Sequence, residues 1–201
     1  LIIVETDGAV AQNEICYILS KDTRLMAEVI KINGINAYVQ VFESTRGVKI
    51  NDEVEFSGHM LEVTLGPGIL SKNYDGLQND LDKMDGVFLK KGEYTHPLDP
   101  DKKWEFTPLA KSGDTVEAAS WLGEVSENGM PHKIMVPFTF KGSFKVKNVV
   151  EKGSYVIDDR IATLLDEENN EVEVTMIQKW PVKVPLTAYK NKPRPFKLFE
   201  T

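Results

Sequence analysis

At 201 residues, with 41% apolar and 27% charged residues, the chain has the make-up of an ordinary globular protein of one or two domains and shows no low-complexity or disordered bias. Its formal net charge of −7 argues against a dedicated nucleic-acid binder, because phosphate neutralisation needs clustered Lys and Arg. Here the basic residues mix with acids, as in Asp99-Pro100-Asp101-Lys102-Lys103, a pattern of solvated loops. The one cysteine, Cys16, rules out an internal disulfide and fits a reducing compartment. No run approaches the roughly 18 apolar residues of a membrane span, and the first residues do not read as a signal peptide.

From Leu1 to Gln78 nearly everything reads as β-structure. Leu1-Ile2-Ile3-Val4 and Ile15–Leu19 are short apolar runs with turn residues around Asp7-Gly8 between them. A start inside an apolar strand, without Met, suggests a trimmed piece of a longer protein. Met26–Ile32 and Ile35–Phe42 flank Asn33-Gly34, a strong hairpin signal, and Ile35, Ala37, Val39 and Val41 are expected on one face. Gly47 and Asn51-Asp52 mark turns before Val54–Phe56. Short strands at this spacing predict a small closed β-barrel. Its last strand should present Leu61, Val63 and Leu65 on one face and stop at Gly66-Pro67-Gly68, where permissive glycines flank a proline of fixed φ. Asp75-Gly76 makes a second turn.

After Leu77 the composition shifts to longer polar loops punctuated by proline. Asn79–Met84 predicts one or two helical turns, capped by Asn79 or Asp80 and followed by Gly86. A weak duplication follows: Ser112–Val125 matches Lys152–Leu164 with one residue skipped, each copy reading turn, Val, turn, apolar strand. Ile134–Pro137 and Phe144–Val150 supply strands between the copies, so two quasi-equivalent four-strand halves predict a barrel-sandwich. Glu171–Ile177 is a further strand after the Glu168–Asn170 turn, and Lys179–Pro185 leads out through Lys192-Pro193-Arg194-Pro195-Phe196, a stiff connector. The expected organisation is mainly β: a barrel over 1–76, a β-rich barrel-sandwich insertion over 77–185, and a proline-rich connector over 186–201.

Chemistry-bearing constellations are sparse. His59, His96 and His132 lack metal-ligand spacing and read as surface or loop residues. Cys16 has no evident base and reads as a buried small apolar residue. Asp158-Asp159 reads as turn chemistry, and Trp104, Trp121 and Trp180 as anchors of small β cores. Gly66-Pro67-Gly68 is too short for a phosphate cradle, and no Lys-Ser/Thr pair follows it.

The string from Leu61 to Gln78, LEVTLGPGILSKNYDGLQ, closely resembles the barrel exit of the catalytic A subunit (alpha chain) of V-type rotary ATPases and ATP synthases. The resemblance extends to Gly8–Glu14, Met26–Ile30, Val39–Gly47, Lys179–Lys183 and Lys192–Phe196, in family order. It implies that the barrel belongs to the crown of an alternating A/B hexamer and that 77–185 is the non-homologous region, or bulge. The connector would then lead into a nucleotide-binding domain. That domain's P-loop and catalytic glutamate would lie beyond Thr201, so the resemblance assigns no catalytic, cofactor-binding or metal-ligating residue to these positions. Mg-ATP would be bound by the parent subunit, an ATP hydrolase or synthase coupled to proton or sodium transport. The implied partners are the B subunit and other subunits, with the peripheral stalk at the bulge, and the location is cytoplasmic, peripheral to the membrane and without direct insertion. One alternative is a biotinyl/lipoyl-like carrier module, with Lys133 in Glu127–Met135 as the attachment residue. An oligonucleotide-binding barrel is weaker, lacking a basic groove with stacking aromatics.

Overall fold

Alternating apolar residues build the first sheet in the computed structural model, which describes residues 1–21, 23–84 and 90–187. The strands β1 (Ile2–Glu5), β2 (Glu14–Ser20), β3 (Thr23–Asn33), β4 (Asn36–Val41) and β5 (Glu53–Met60) pair antiparallel in the order β1-β4-β3-β2-β5. Ala37, Val39 and Val41 of β4 face a core with Cys16, Ile18, Leu25, Ala27 and Val29. Ile35 does not join that face: it lies in the turn and is exposed, because Asn33 pairs with Asn36 and the reversal runs through Gly34 at φ 61°. Register shifts at Val29/Lys31 and Glu14/Cys16 are bulges, which bend strands so that a small barrel can wrap one core.

Residues Lys83–Thr95 and Pro181–Lys183 cluster with Leu1–Val63 as one compact unit. The Tyr94 hydroxyl donates to Glu43 Oε1 at 2.7 Å and accepts from the Met26 N–H at 2.9 Å, while the Gly92 N–H donates to Glu43 Oε2 at 2.8 Å. Lys183 Nζ donates to the mostly buried Glu28 and to Asn13 Oδ1. The predicted helical stretch contributes a single 3-10 turn, Leu81–Lys83, with Asp80 Oδ1 accepting from the Asp82 N–H as an N-cap does. Gly86 and Lys192–Phe196 fall outside the described residues.

β6 (Glu62–Leu65) carries the chain towards the Gly-Pro-Gly turn. All four of its residues are half-buried, so the alternation of Leu61, Val63 and Leu65 is not resolved into one buried and one exposed face. The second unit, formed by Thr64–Asp82 and His96–Trp180 with residues from Val184 onward, holds β7 (Trp104–Pro108), β8 (Thr115–Val116), β9 (Trp121–Glu127), β10 (Met130–Met135), β11 (Phe144–Val149), β12 (Gly153–Tyr155), β13 (Ala162–Leu165) and β14 (Glu171–Val174). A further strand, β15 (Gln178–Pro181), pairs with β6.

The duplication read from Ser112–Val125 and Lys152–Leu164 has a topological meaning. One sheet runs β10-β9-β7-β12 and the other β14-β13-β11-β8. If β7–β10 and β11–β14 are the two halves, each contributes three strands to its own sheet and passes its second strand, β8 or β12, to the other. Equivalent turns close both second strands: Ser120 N–H to Glu117 O and Asp159 N–H to Val156 O. Neither half can complete its sheet alone, so both enclose one core, with Phe106, Leu122, Val146, Ile161 and Leu164 at its centre. Burying side chains of this size stabilises the fold by about 1.5–3 kcal/mol each. Gly123 lets β9 pack beneath the Phe106 ring of its neighbour β7, because a Cβ there would sit 2.1 Å from Phe106 Cζ.

Candidate functional site

The turn that ends β6 is held by a residue that sequence reasoning missed. Gly68 adopts φ 101°, a backbone state that favours glycine, and its N–H donates to Glu127 Oε1 at 2.8 Å. The Leu70 N–H donates to the same oxygen at 3.1 Å. On the other side, Glu127 Oε2 lies 2.6 Å from His132 Nδ1, so the Nδ1–H tautomer completes a set of three donors. Glu127 is 2% exposed, and an unpartnered carboxylate there would be costly. Asn128 and Gly129, both at positive φ, form the two-residue turn that brings Glu127 and His132 together across the β9–β10 hairpin. Asn128 Nδ2 also donates to Ser71 Oγ at 3.0 Å, a second tie between hairpin and turn.

Downstream of this anchor the chain from Lys72 to Asp82 is bonded at nearly every polar position. Asp75 accepts from the Leu77 N–H, the Asn79 N–H and Asn79 Nδ2 at 2.8 to 2.9 Å. The Gln78 amide pairs with the Thr64 backbone through two bonds of 2.7 Å, reproducing a ladder rung with a side chain. Lys72 Nζ donates to the fully buried Asp80 at 3.0 Å, and that bond raises the Lys72 pKa. These bonds tie the stretch into the second unit and leave little of its backbone to offer a ligand.

The other residues singled out by sequence are scattered. Burial, with the Glu14 carboxylate adding to it, pushes the Cys16 thiol up to about 12, so it is a poor nucleophile. His59 Nδ1 bonds the Met60 carbonyl, and His96 is exposed. His132 is no bland loop residue, since it belongs to the Glu127 anchor. Asp159 Oδ2 accepts from the Val156 N–H, the turn role expected of it. Trp104 is buried and Trp180 packs edge-on against Phe138, but Trp121 is 58% exposed and anchors no core. It stands at the first residue of β9, beneath the Lys133 ammonium at 4.7 Å. Lys133 itself lies within β10, ion-paired to Glu124, instead of at a hairpin tip free for acylation. That placement removes the physical basis of the carrier reading.

A groove of about 1100 Å³ opens in the first unit, with an apolar floor that includes Ile2, Val4, Val54 and Phe56. Glu5, Asp7, Asp52 and Glu53 outnumber Lys49 among its charged lining residues, which disfavours a polyphosphate. Among the described residues no group of three or more His, Cys, Asp or Glu is placed to hold a metal ion. The Gly-Pro-Gly turn does gather backbone amides around an anion, but the anion is the chain's own Glu127.

Comparison with known proteins adds the relatives. Residues 1–58 match the ATP synthase alpha/beta family β-barrel domain, and residues 95–183 match the ATP synthase alpha/beta subunit barrel-sandwich domain. The V-type ATP synthase alpha chain of Treponema denticola is 44% identical over 198 residues, covering 97% of this chain and 34% of that protein. The proteins of the same description from Borrelia garinii and Borrelia recurrentis are 43% and 45% identical over 195 residues, again covering 96% of this chain and 34% of theirs. The chain therefore spans about a third of the length of these relatives.

Proposed function

From the premise that the chain belongs to the V-type ATP synthase alpha-chain family, we propose that it serves as the structural and subunit-interaction part of such an alpha chain. The observation that carries this reading is the pair of family domains, met in order along a chain that aligns almost throughout with V-type alpha chains. The barrel over 1–76 holds neighbouring subunits in the crown of an alternating hexamer with the B subunit. The β-rich region over 77–185 is the bulge, a contact for the peripheral stalk, and 186–201 is the connector towards the nucleotide-binding domain. The parent subunit hydrolyses or makes ATP with magnesium, coupled to proton or sodium transport, in a complex peripheral to the membrane on its cytoplasmic side.

The chain's own residues support a scaffolding role in physical terms. The first unit has a single apolar core, the second is a strand-exchanged sandwich, and within the second unit the stretch Thr64–Asp82 is held by Glu127, Asp75, Gln78 and Asp80. The test is co-sedimentation of the purified chain with the B subunit of the same complex. A stoichiometric barrel-dependent complex is expected, one weakened by charge substitutions on the barrel and not by substitutions in β9 or β10. No association at micromolar concentrations of both proteins, on the order of ordinary subunit contacts, would overturn the crown assignment.

A further inference from the structure

The geometry points to a built carboxylate-binding site in the second unit, made of the Gly68 and Leu70 amides and the His132 ring, with Glu127 as its resident ligand. Amides of a turn converge on an anion when one residue takes a left-handed conformation; Gly68 at φ 101° supplies that state, and the Gly68 and Leu70 amides, two positions apart, converge. Both amides meet one oxygen, at 2.8 and 3.1 Å, and His132 Nδ1 meets the other at 2.6 Å. This is bidentate recognition of a carboxylate by the protein, assembled from residues 59 positions apart in the case of Gly68.

The surroundings are built as well. The floor beneath Gly68 is apolar: a Cβ there would touch Trp104 Cζ2 at 3.5 Å and Leu98 at 3.9 Å. Glu127 is 2% exposed and the His132 side chain 22%, so the donors face a site largely closed to water, where charge-assisted bonds are strong. The donors come from the turn and from β10, whereas the ligand comes from the end of β9. Removing the Glu127 side chain therefore leaves the donor set intact and empty. A vacated site of this kind takes a small carboxylate, such as formate or acetate, in place of the missing side chain.

The experiment is chemical rescue of Glu127→Ala in the chain described here, read by amide hydrogen exchange resolved at Gly68 and Leu70. Without additive, exchange at these two amides should quicken by roughly 10- to 100-fold while Val146 and Leu164 in the core stay protected. Formate should restore protection saturably, and chloride at equal ionic strength should not. Unchanged protection in Glu127→Ala, or loss that formate and chloride affect alike, would overturn the site. If Glu127→Ala does not fold, Glu127→Gln decides, because its carbonyl oxygen can still accept from both amides. Glu127→Gln should keep protection within a few-fold of the parent and ignore formate; a folded Glu127→Gln with both amides unprotected would refute the assignment.

Discussion

Gly123→Ala is the sharpest probe of core packing in the sandwich, at the pairing of β7 with β9. A Cβ at this position would lie 2.1 Å from Phe106 Cζ, 2.2 Å from Phe106 Cε2 and 2.9 Å from the Thr107 carbonyl oxygen. The first two overlaps could be relieved only by moving the Phe106 ring, which is fully buried and packs edge-on against Tyr155 at 6.2 Å. The third involves backbone of β7 and cannot be relieved by a rotamer change. Overpacking of this severity should cost about 3 kcal/mol. With urea m-values of about 1–3 kcal/mol per molar, the midpoint should fall by roughly 1–3 M. Trp104, Trp121 and Trp180 all belong to the second unit, so tryptophan fluorescence reports its unfolding selectively. The double variant Gly123→Ala/Phe106→Leu removes the clashing ring, and its cost should fall short of the sum of the single costs by at least ~1 kcal/mol. A Gly123→Ala midpoint within about 0.5 kcal/mol of the parent, the scale of a neutral surface change, would refute the packing argument.

Gly66→Ala would set a Cβ 2.7 Å from Ile177 Cγ2 and 3.2 Å from the Met176 carbonyl, so it should destabilise by about 1–2 kcal/mol, and its cost on an Ile177→Ala background, which lacks the clashing Cγ2, should be smaller in the same urea assay. Tyr94→Phe leaves the Met26 N–H without its acceptor and should cost about 1–3 kcal/mol, with faster exchange of the Met26 amide. Burial, followed by the hydrogen bond to Glu43, raises the Tyr94 pKa. Its contribution to stability should be complete below the unfolded tyrosine value of about 10 and lost as pH rises through that value towards the folded one; ultraviolet titration against Tyr94→Phe checks this. Cys16, pushed up to about 12, should resist thiol reagents at pH 8 in the folded chain and react on denaturation. Rapid labelling of native protein would contradict its placement in the barrel core.

Local signals were legible where one turn or one period decides the structure. Gly34 adopts the positive φ that a tight hairpin turn needs, and Ala37, Val39 and Val41 fill the core as their alternation requires. The duplication was legible as a pattern, but the exchange of β8 and β12 between sheets was not, because pairing partners are non-local and periodicity carries no partner identity. The same reason hid the Glu127 anchor and the Tyr94 bond to Glu43, which join residues 59 and 51 positions apart. Asn128-Gly129 was a signal for the first of these, since a two-residue turn must place Glu127 opposite Met130 and His132 nearby. Trp121 misled because aromatic character suggests burial, whereas it stays exposed beneath the ammonium of Lys133, itself half-buried and ion-paired to Glu124. The helical expectation for Asn79–Met84 shrank to one 3-10 turn because Asn79 and Asp80 are buried in side-chain bonding around Asp75 and Lys72.

The proposed scaffold role places nucleotide chemistry outside these residues. Equilibrium binding of ATP to the chain, titrated with and without magnesium, tests it directly. No saturable binding is expected up to millimolar nucleotide, on the order of a 4 kcal/mol interaction, with or without the metal. Stoichiometric, magnesium-dependent binding would contradict it.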